Sequence, residues 1–358
     1  MNTVRTAQKI NPPQLATMIK SWAQELGFAE LGIADVDLSD AEERLREWLA
    51  AGFHGDMQYM QKHGLRRTRP AELVTGTVRI ISARMNYQTD TQADAAALLQ
   101  TAHKAYIARY ALGRDYHKLM RNRLQQLAGR IESAAGPFGY RAFVDSAPVM
   151  EKPIAAKAGL GWLGKHTNII NKTAGSWFLL GEIYTDLPLP IDGSATDHCG
   201  SCRACIDVCP TQAIVAPYVL DATRCISYLT IESKTSIPEH LRKAIGNRIF
   251  GCDDCQLFCP WNKFASMATE PDFTPRHELD CADLVTLFLW CEAEWEEKTR
   301  GSALRRPGYI GWLRNIAVAL GNAPASPAIT AALKSREDHP SEIVQEHVRW
   351  AQKQHDKR

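Results

Sequence analysis

Eight cysteines fall between positions 199 and 259, and no other feature constrains this chain as much. The first run is Cys199-x2-Cys202-x2-Cys205-x3-Cys209-Pro210. The second is Cys252-x2-Cys255-x3-Cys259-Pro260, and Cys225 stands alone between them. Two-residue gaps let successive thiolates converge on adjacent irons of one cubane. In two-cluster ferredoxins the fourth cysteine of such a run, the one before proline, ligates the other cluster. That rule gives Cys199, Cys202, Cys205 and the distant Cys259 to one 4Fe-4S cluster. It gives Cys209, Cys225, Cys252 and Cys255 to a second, with no cysteine of the run left over. The crossing also puts the clusters close enough to exchange electrons. Structural zinc is the competing chemistry, but zinc modules pair two separated Cys-x2-Cys knuckles and need no third cysteine two residues on. Cys281 and Cys291 lie outside the pattern and read as buried thiols.

The surroundings fit a cytoplasmic protein, where structural disulfides are rare. The opening MNTVRTAQKINPPQ has no apolar core, no cleavage site and no twin-arginine pair. No apolar run approaches the roughly 18 residues of a membrane span. A net charge of +2 over 358 residues gives no global field for polyanions, so any nucleic-acid contact must come from local patches.

Apolar periodicity predicts helices over 14–26, 41–50 and 115–134, and strands ending near Asp35 and over 78–87 and 140–146. MEKPIAAKAGLG reads as a short helix stopped by glycine, and the stretch after it as a hairpin turning near Gly175. This alternation predicts an α/β domain over 1–190. A ferredoxin-like module follows over 191–277, entered through the linker 188–193. Within it Ser236 and Glu239 stand in capping-box register around Pro238. Residues 278–358 read as a helical, HEAT-like segment, which makes the whole chain α+β and multidomain.

Three segments resemble the epoxyqueuosine reductase family: VDSAPVMEKPIAAKAGLGWLGKHTNII, RCISYLT around Cys225, and GNRIFGCDDCQLFCPWN. The resemblance runs from about residue 14 to about 320. It implies removal of the epoxide oxygen of epoxyqueuosine at the wobble position of tRNA anticodons, the last step of queuosine synthesis. It also implies cobalamin beside the two 4Fe-4S clusters, a low-potential electron donor such as ferredoxin or flavodoxin, and a monomer. The chemistry is coherent. Turning an epoxide into an alkene takes two electrons, protonation of the oxygen and its loss as water. Clusters deliver electrons singly, and a low-valent cobalt carries the hard step.

By this resemblance Asp145, at the end of an apolar strand, is the proton donor, kept protonated by burial. Its bland alternative is a helix cap. Cobalamin contacts carry over to Arg67, Ile169, Leu180, Ser227 and Asp253, and possession of the clusters to the eight cysteines. Asp115-Tyr116-His117 begins a base-off cobalamin fingerprint, but Met120 stands where glycine is needed, so His117 reads as an ordinary helix residue. Basic residues gather in three places: Lys62, Arg66, Arg67 and Arg69; Lys234, Arg242, Lys243 and Arg248; and Arg300, Arg305, Arg306 and Arg314 beside Tyr309 and Trp312. The last group is the expected tRNA surface, since single-stranded RNA needs phosphate neutralisation and stacking platforms together. Two other readings compete: a corrinoid reductive dehalogenase-like enzyme, and a two-cluster electron-transfer protein with no substrate of its own.

Overall fold

The computed structural model describes residues 10–356. Most of the N-terminal stretch read above for leader signals lies outside them. The N-terminal half is built on four strands, β1 Glu30–Ala34, β2 Arg79–Asn86, β3 Tyr140–Val144 and β4 Phe178–Thr185, lying in the order β1-β2-β4-β3. All three pairings are antiparallel, which corrects the α/β expectation. Strands and helices do alternate along the chain. However, the helices between β1 and β2 bring the chain back to the end of the sheet it left, which suits an antiparallel neighbour. The expected hairpin is also different. Ile169–Ile170 pairs with Trp162–Leu163, and the turn at Gly175 is closed by a single Asn171–Gly175 bridge.

The period of two along β4 divides its side chains between two cores. Ile183 faces the helices Pro12–Glu25 and Tyr116–Ala135, packing with Ile19, Leu124, Leu127 and Ile131. Phe178, Leu180 and Tyr184 face the helix Glu151–Lys157 through Ile154 and Ala155. Both helices that begin at the sheet's open end, 116–135 and 151–157, therefore start beside the end of β3, where Asp145 sits.

The cysteine-rich segment is tied to this half by Tyr106–Ile107, which pairs in parallel with Arg248–Phe250. Among the described residues no strand occurs after 278. The helices Gly308–Asn322, Pro327–Lys334 and Glu342–Asp356 bury Trp312, Ile316, Leu333 and Val348 in one core with Ile226, Leu241, Ile249 and Phe250. The helix Glu239–Ile245 starts on Pro238 without a side-chain cap, because Ser236 donates to Glu346 instead. Cys281 is half-buried and Cys291 exposed, so neither is the core thiol expected. Among the described residues no helix is long and apolar enough to cross a membrane.

Trp312 and Arg314, expected on an RNA-facing surface, are wholly buried. Arg314 donates to the carbonyls of Leu229, Ser233 and Thr235 at 2.6, 2.9 and 2.7 Å. Asn315 donates to Thr230 and Ile249, both at 2.8 Å. The two side chains thus clamp the π-helical turn Tyr228–Glu232 just after Cys225 and the strand leading into Cys252. A guanidinium has five N–H groups in a fixed fork, and here it satisfies carbonyls that a wide turn leaves open. Arg314→Leu strands three of them. It is expected to cost about 2–4 kcal/mol of stability, read by thermal unfolding, and to lower iron retention.

Candidate active site and cysteine cavities

The eight cysteines line two cavities. Cys199, Cys202, Cys205 and Cys259 surround one of about 250 Å³, with Trp261 and Phe264 at its outer side. Cys209, Cys225, Cys252 and Cys255 lie in the wall of a second, about 420 Å³, which opens to solvent. The grouping matches the crossed assignment from spacing. Among the described residues no three His, Cys, Asp or Glu side chains converge closely enough to grip a single ion. A cubane spreads four thiolates over four irons and asks for wider spacing than one zinc. Burial, then the neighbouring thiols, pushes Cys205 up to about 11, and burial pushes Cys252 and Cys255 well above their ordinary value. Such crowded thiols ionise together only around a cationic centre. Trp162 Nε1 lies 3.4 Å from Cys199 Sγ, the kind of contact that tunes a cluster's sulfurs. His166 borders both cavities. Its Nδ1 accepts from Asn168 N at 3.1 Å, while Nε2, buried, has no partner among the described residues. Burial, then the charge of Lys152, lowers His166 to about 4, so the ring is neutral and Nε2 is a spare donor.

The larger cavity is also lined by Asp145, with 37% of its side chain exposed. The Tyr116 hydroxyl donates to Oδ2. His117 Nε2 stands 2.7 Å from Oδ1, and His117 Nδ1 stands 2.5 Å from Asp115 Oδ1. A carboxylate oxygen against each ring nitrogen requires both to donate, so the ring is an imidazolium. Burial opposes that charge. The hydrogen bonds and charges of Asp115 and Asp145 outweigh it and raise His117 to about 10. Two expectations are corrected. Asp145 is not sealed in an apolar pocket but faces the cavity. His117, set aside above as a helix residue, holds a proton directly against it. Asp115 caps the 116–135 helix through His117 N, so one short segment supplies cap, tyrosine and imidazole.

Two more carboxyls stand behind Asp145. Glu151, the first residue of its helix, borders the cavity. Glu182 is wholly buried in β4, on the face that carries Leu180 and Tyr184. Burial, then neighbouring carboxylate charge, raises both. A glutamate inside the apolar run WFLLGEIYT was a visible signal that the motif search passed over.

Of the residues expected to touch cobalamin, Ile169, Leu180, Ser227 and Asp253 all line the larger cavity. Asp253 is anchored there, accepting from Tyr106 Oη at 2.9 Å and Arg109 N at 2.8 Å. Arg67 does not line it; the guanidinium is buried, donating to Tyr59 O at 3.0 Å with Nε unpartnered among the described residues. Apolar side chains, an acid and four cysteines lining one cavity form a cradle suited to a flat macrocycle beside a cluster.

The basic patches are thinner than the sequence implied. Arg242 is buried against Glu346, and Arg248 against Asp254 at 2.5 Å. Arg69 is spanned by Glu42 and Glu72. Lys62, Arg66, Lys234, Lys243, Arg300, Arg305 and Arg306 remain exposed. Arg306 also lies 5.9 Å from the ring centre of Tyr59, which is 40% exposed and feels the charge of Asp145. Tyr59 is thus an exposed aromatic beside a cation that charge counting missed.

A family model described as "Epoxyqueuosine reductase QueG, DUF1730" matches residues 67–146, ending one residue past Asp145. A second, "4Fe-4S double cluster binding domain", matches 198–262 and contains all eight cysteines. The epoxyqueuosine reductase of Pseudomonas aeruginosa is 58% identical over 98% of both chains. That of Escherichia coli is 53% identical, covering 94% of this chain and 89% of its own. Among solved structures, an epoxyqueuosine reductase from Bacillus subtilis, described with an aspartate-bearing catalytic loop swung out of the active site, superposes with a TM-score of 0.86. It has 26% identity and covers 94% of this chain and 89% of its own. One with an epoxyqueuosine-modified tRNA-Tyr stem loop superposes at 0.80 with 25% identity, covering 96% and 99%. With likeness at that level running through the acid end of β3 and the cysteine module alike, the chain belongs to the epoxyqueuosine reductase family.

Proposed function

We propose that this protein reduces epoxyqueuosine to queuosine in the anticodon loop of tRNA. The observation that carries the reading is one cavity lined by Asp145, with His117 held against that carboxyl, and by Cys209, Cys225, Cys252 and Cys255. Each group of four cysteines holds one 4Fe-4S cluster. Ile169, Leu180, Ser227 and Asp253, which line the larger cavity, would hold cobalamin. Bound there, cobalamin supplies a strongly reducing, nucleophilic cobalt, and the clusters supply electrons from a low-potential donor. The chain's own residues bind the reacting nucleoside, exclude water and place a proton on Asp145. Arg67 works indirectly, by holding the backbone of Tyr59. The RNA enters over Tyr59 and Arg306, a stacking face beside a cation. The three segments 1–190, 191–277 and 278–358 act as acid and cobalamin domain, electron module and clamp. We read the protein as a monomer that meets its tRNA substrate in the cytoplasm.

The test is nucleoside mass spectrometry on tRNA from cells lacking the gene. Epoxyqueuosine accumulates and queuosine is missing, and the intact gene restores it. Normal queuosine in those cells overturns the reading.

The charge on His117 gives a pH signature. Its folded pKa, about 10, lies above the ordinary 6.5. Its contribution to stability is therefore fully present below about pH 6.5 and is lost as pH rises through about 10. His117→Gln keeps a hydrogen bond to Asp145 and removes the charge. Turnover is expected to fall roughly 10- to 100-fold, with the alkaline limb of the rate profile lost.

A further inference from the structure

Taking the epoxide oxygen off as water breaks two C–O bonds and consumes two electrons and two protons. The electrons come from the low-potential donor through the clusters, and the carbons keep them as the new C=C bond. The Asp145–His117 pair accounts for one proton. A second must reach the same oxygen within the turnover, while bound RNA covers the cavity.

Glu182 is out of place as a structural residue. It is wholly buried on the Leu180–Tyr184 face of β4. One oxygen lies 3.4 Å from Ser82 Oγ, and the other has no partner among the described residues. A carboxylate so placed would be strongly disfavoured, so Glu182 carries a proton. Glu151 starts the helix packed on that face and borders the cavity. Asp145 faces Glu151 and favours its protonated form, Lys152 and His117 face it and oppose that, and the charge of Glu151 in turn favours a proton on Glu182. Buried carboxyls on packed elements that feel one another's charge share protons rather than ionise together.

We propose that Glu151 and Glu182 form a carboxyl pair that holds the second proton and passes it to Asp145, which rests on the epoxide-reducing reading above. Asp145 first gives the proton it shares with His117 to the ring oxygen as one C–O bond opens. Glu151 reprotonates Asp145, which protonates the oxygen again as the second C–O bond breaks. Water leaves, and the carboxyls reload from solvent once the RNA departs.

Glu151→Gln and Glu182→Gln, each as holoenzyme with both clusters, test this in two ways. Infrared difference spectra against the parent enzyme near neutral pH, without RNA, are expected to show loss of a protonated-carboxyl band in either variant. With an epoxyqueuosine stem loop, kcat is expected to fall at least about 10-fold with KM unchanged, and Glu151→Asp to recover part of it. Unchanged kcat in both variants, a change in KM alone, or no missing carboxyl band overturns the proposal. If the parent enzyme leaves epoxyqueuosine untouched while the band behaves as expected, the substrate reading fails and the proton store stands.

Discussion

Asp145→Asn is expected to leave about eight irons per chain in place while lowering turnover by about 10²–10⁴-fold. The substitution keeps shape and size. The new side-chain amide can still accept from the Tyr116 hydroxyl or from His117, so the end of β3 and the start of the 116–135 helix should hold. What is lost is an oxygen that alternately takes and gives a proton. The imidazolium of His117 remains behind it, held by Asp115 at 2.5 Å, but its Nε2 proton then faces an amide that cannot pass it on. The readouts separate structure from chemistry: visible absorption and iron content for the clusters, unfolding temperature for the fold, single-turnover product for the acid. Wild-type turnover in this variant would remove Asp145 from the reaction and move the acid's role to Glu151.

What could be read from sequence depended on whether a signal is local. The cysteine spacing is a local rule about how a chain wraps an iron–sulfur core, and the structure groups the same four and four. Helix 115–134 came within one residue of Tyr116–Ala135, because its period and its Asp115 cap lie in the chain itself. Strand direction does not. Nothing in the alternation of apolar runs tells whether a crossover returns to the same end of the sheet, and the antiparallel β1-β2-β4-β3 order followed from that choice. Charge was the least legible feature. Arg242, Arg248 and Arg314 look in sequence like members of basic patches, yet each turns inward to a carboxylate or to turn carbonyls. The proton site was half legible. Asp145 was marked by motif, whereas His117 was dismissed by a failed motif and recovered only when the fold set it 2.7 Å from Asp145.

Cys259→Ser and Cys209→Ser are expected to have opposite consequences from those their positions in sequence imply. Cys259 closes the second cysteine run, but its side chain lines the smaller cavity with Cys199, Cys202 and Cys205. Cys209 closes the first run, but lines the larger cavity with Cys225, Cys252 and Cys255. Serine is a poor cubane ligand, so each variant should retain about four of about eight irons. The Cys259 variant keeps the cluster nearest Asp145 and loses the one beside the exposed Cys202. It should then still complete a single turnover when excess chemical reductant sends two electrons in succession through that remaining cluster, while electron delivery from a protein donor fails. The Cys209 variant loses the cluster in the wall of the reaction cavity, and should accept an electron at the other cluster yet form no queuosine under either reductant. Electron paramagnetic resonance tells the two residual clusters apart, because only the smaller cavity places the Trp162 indole against a cluster cysteine. Should Cys259→Ser instead destroy the cluster that faces Asp145, the runs are uncrossed, and the path of electrons from surface to cavity would have to be drawn the other way.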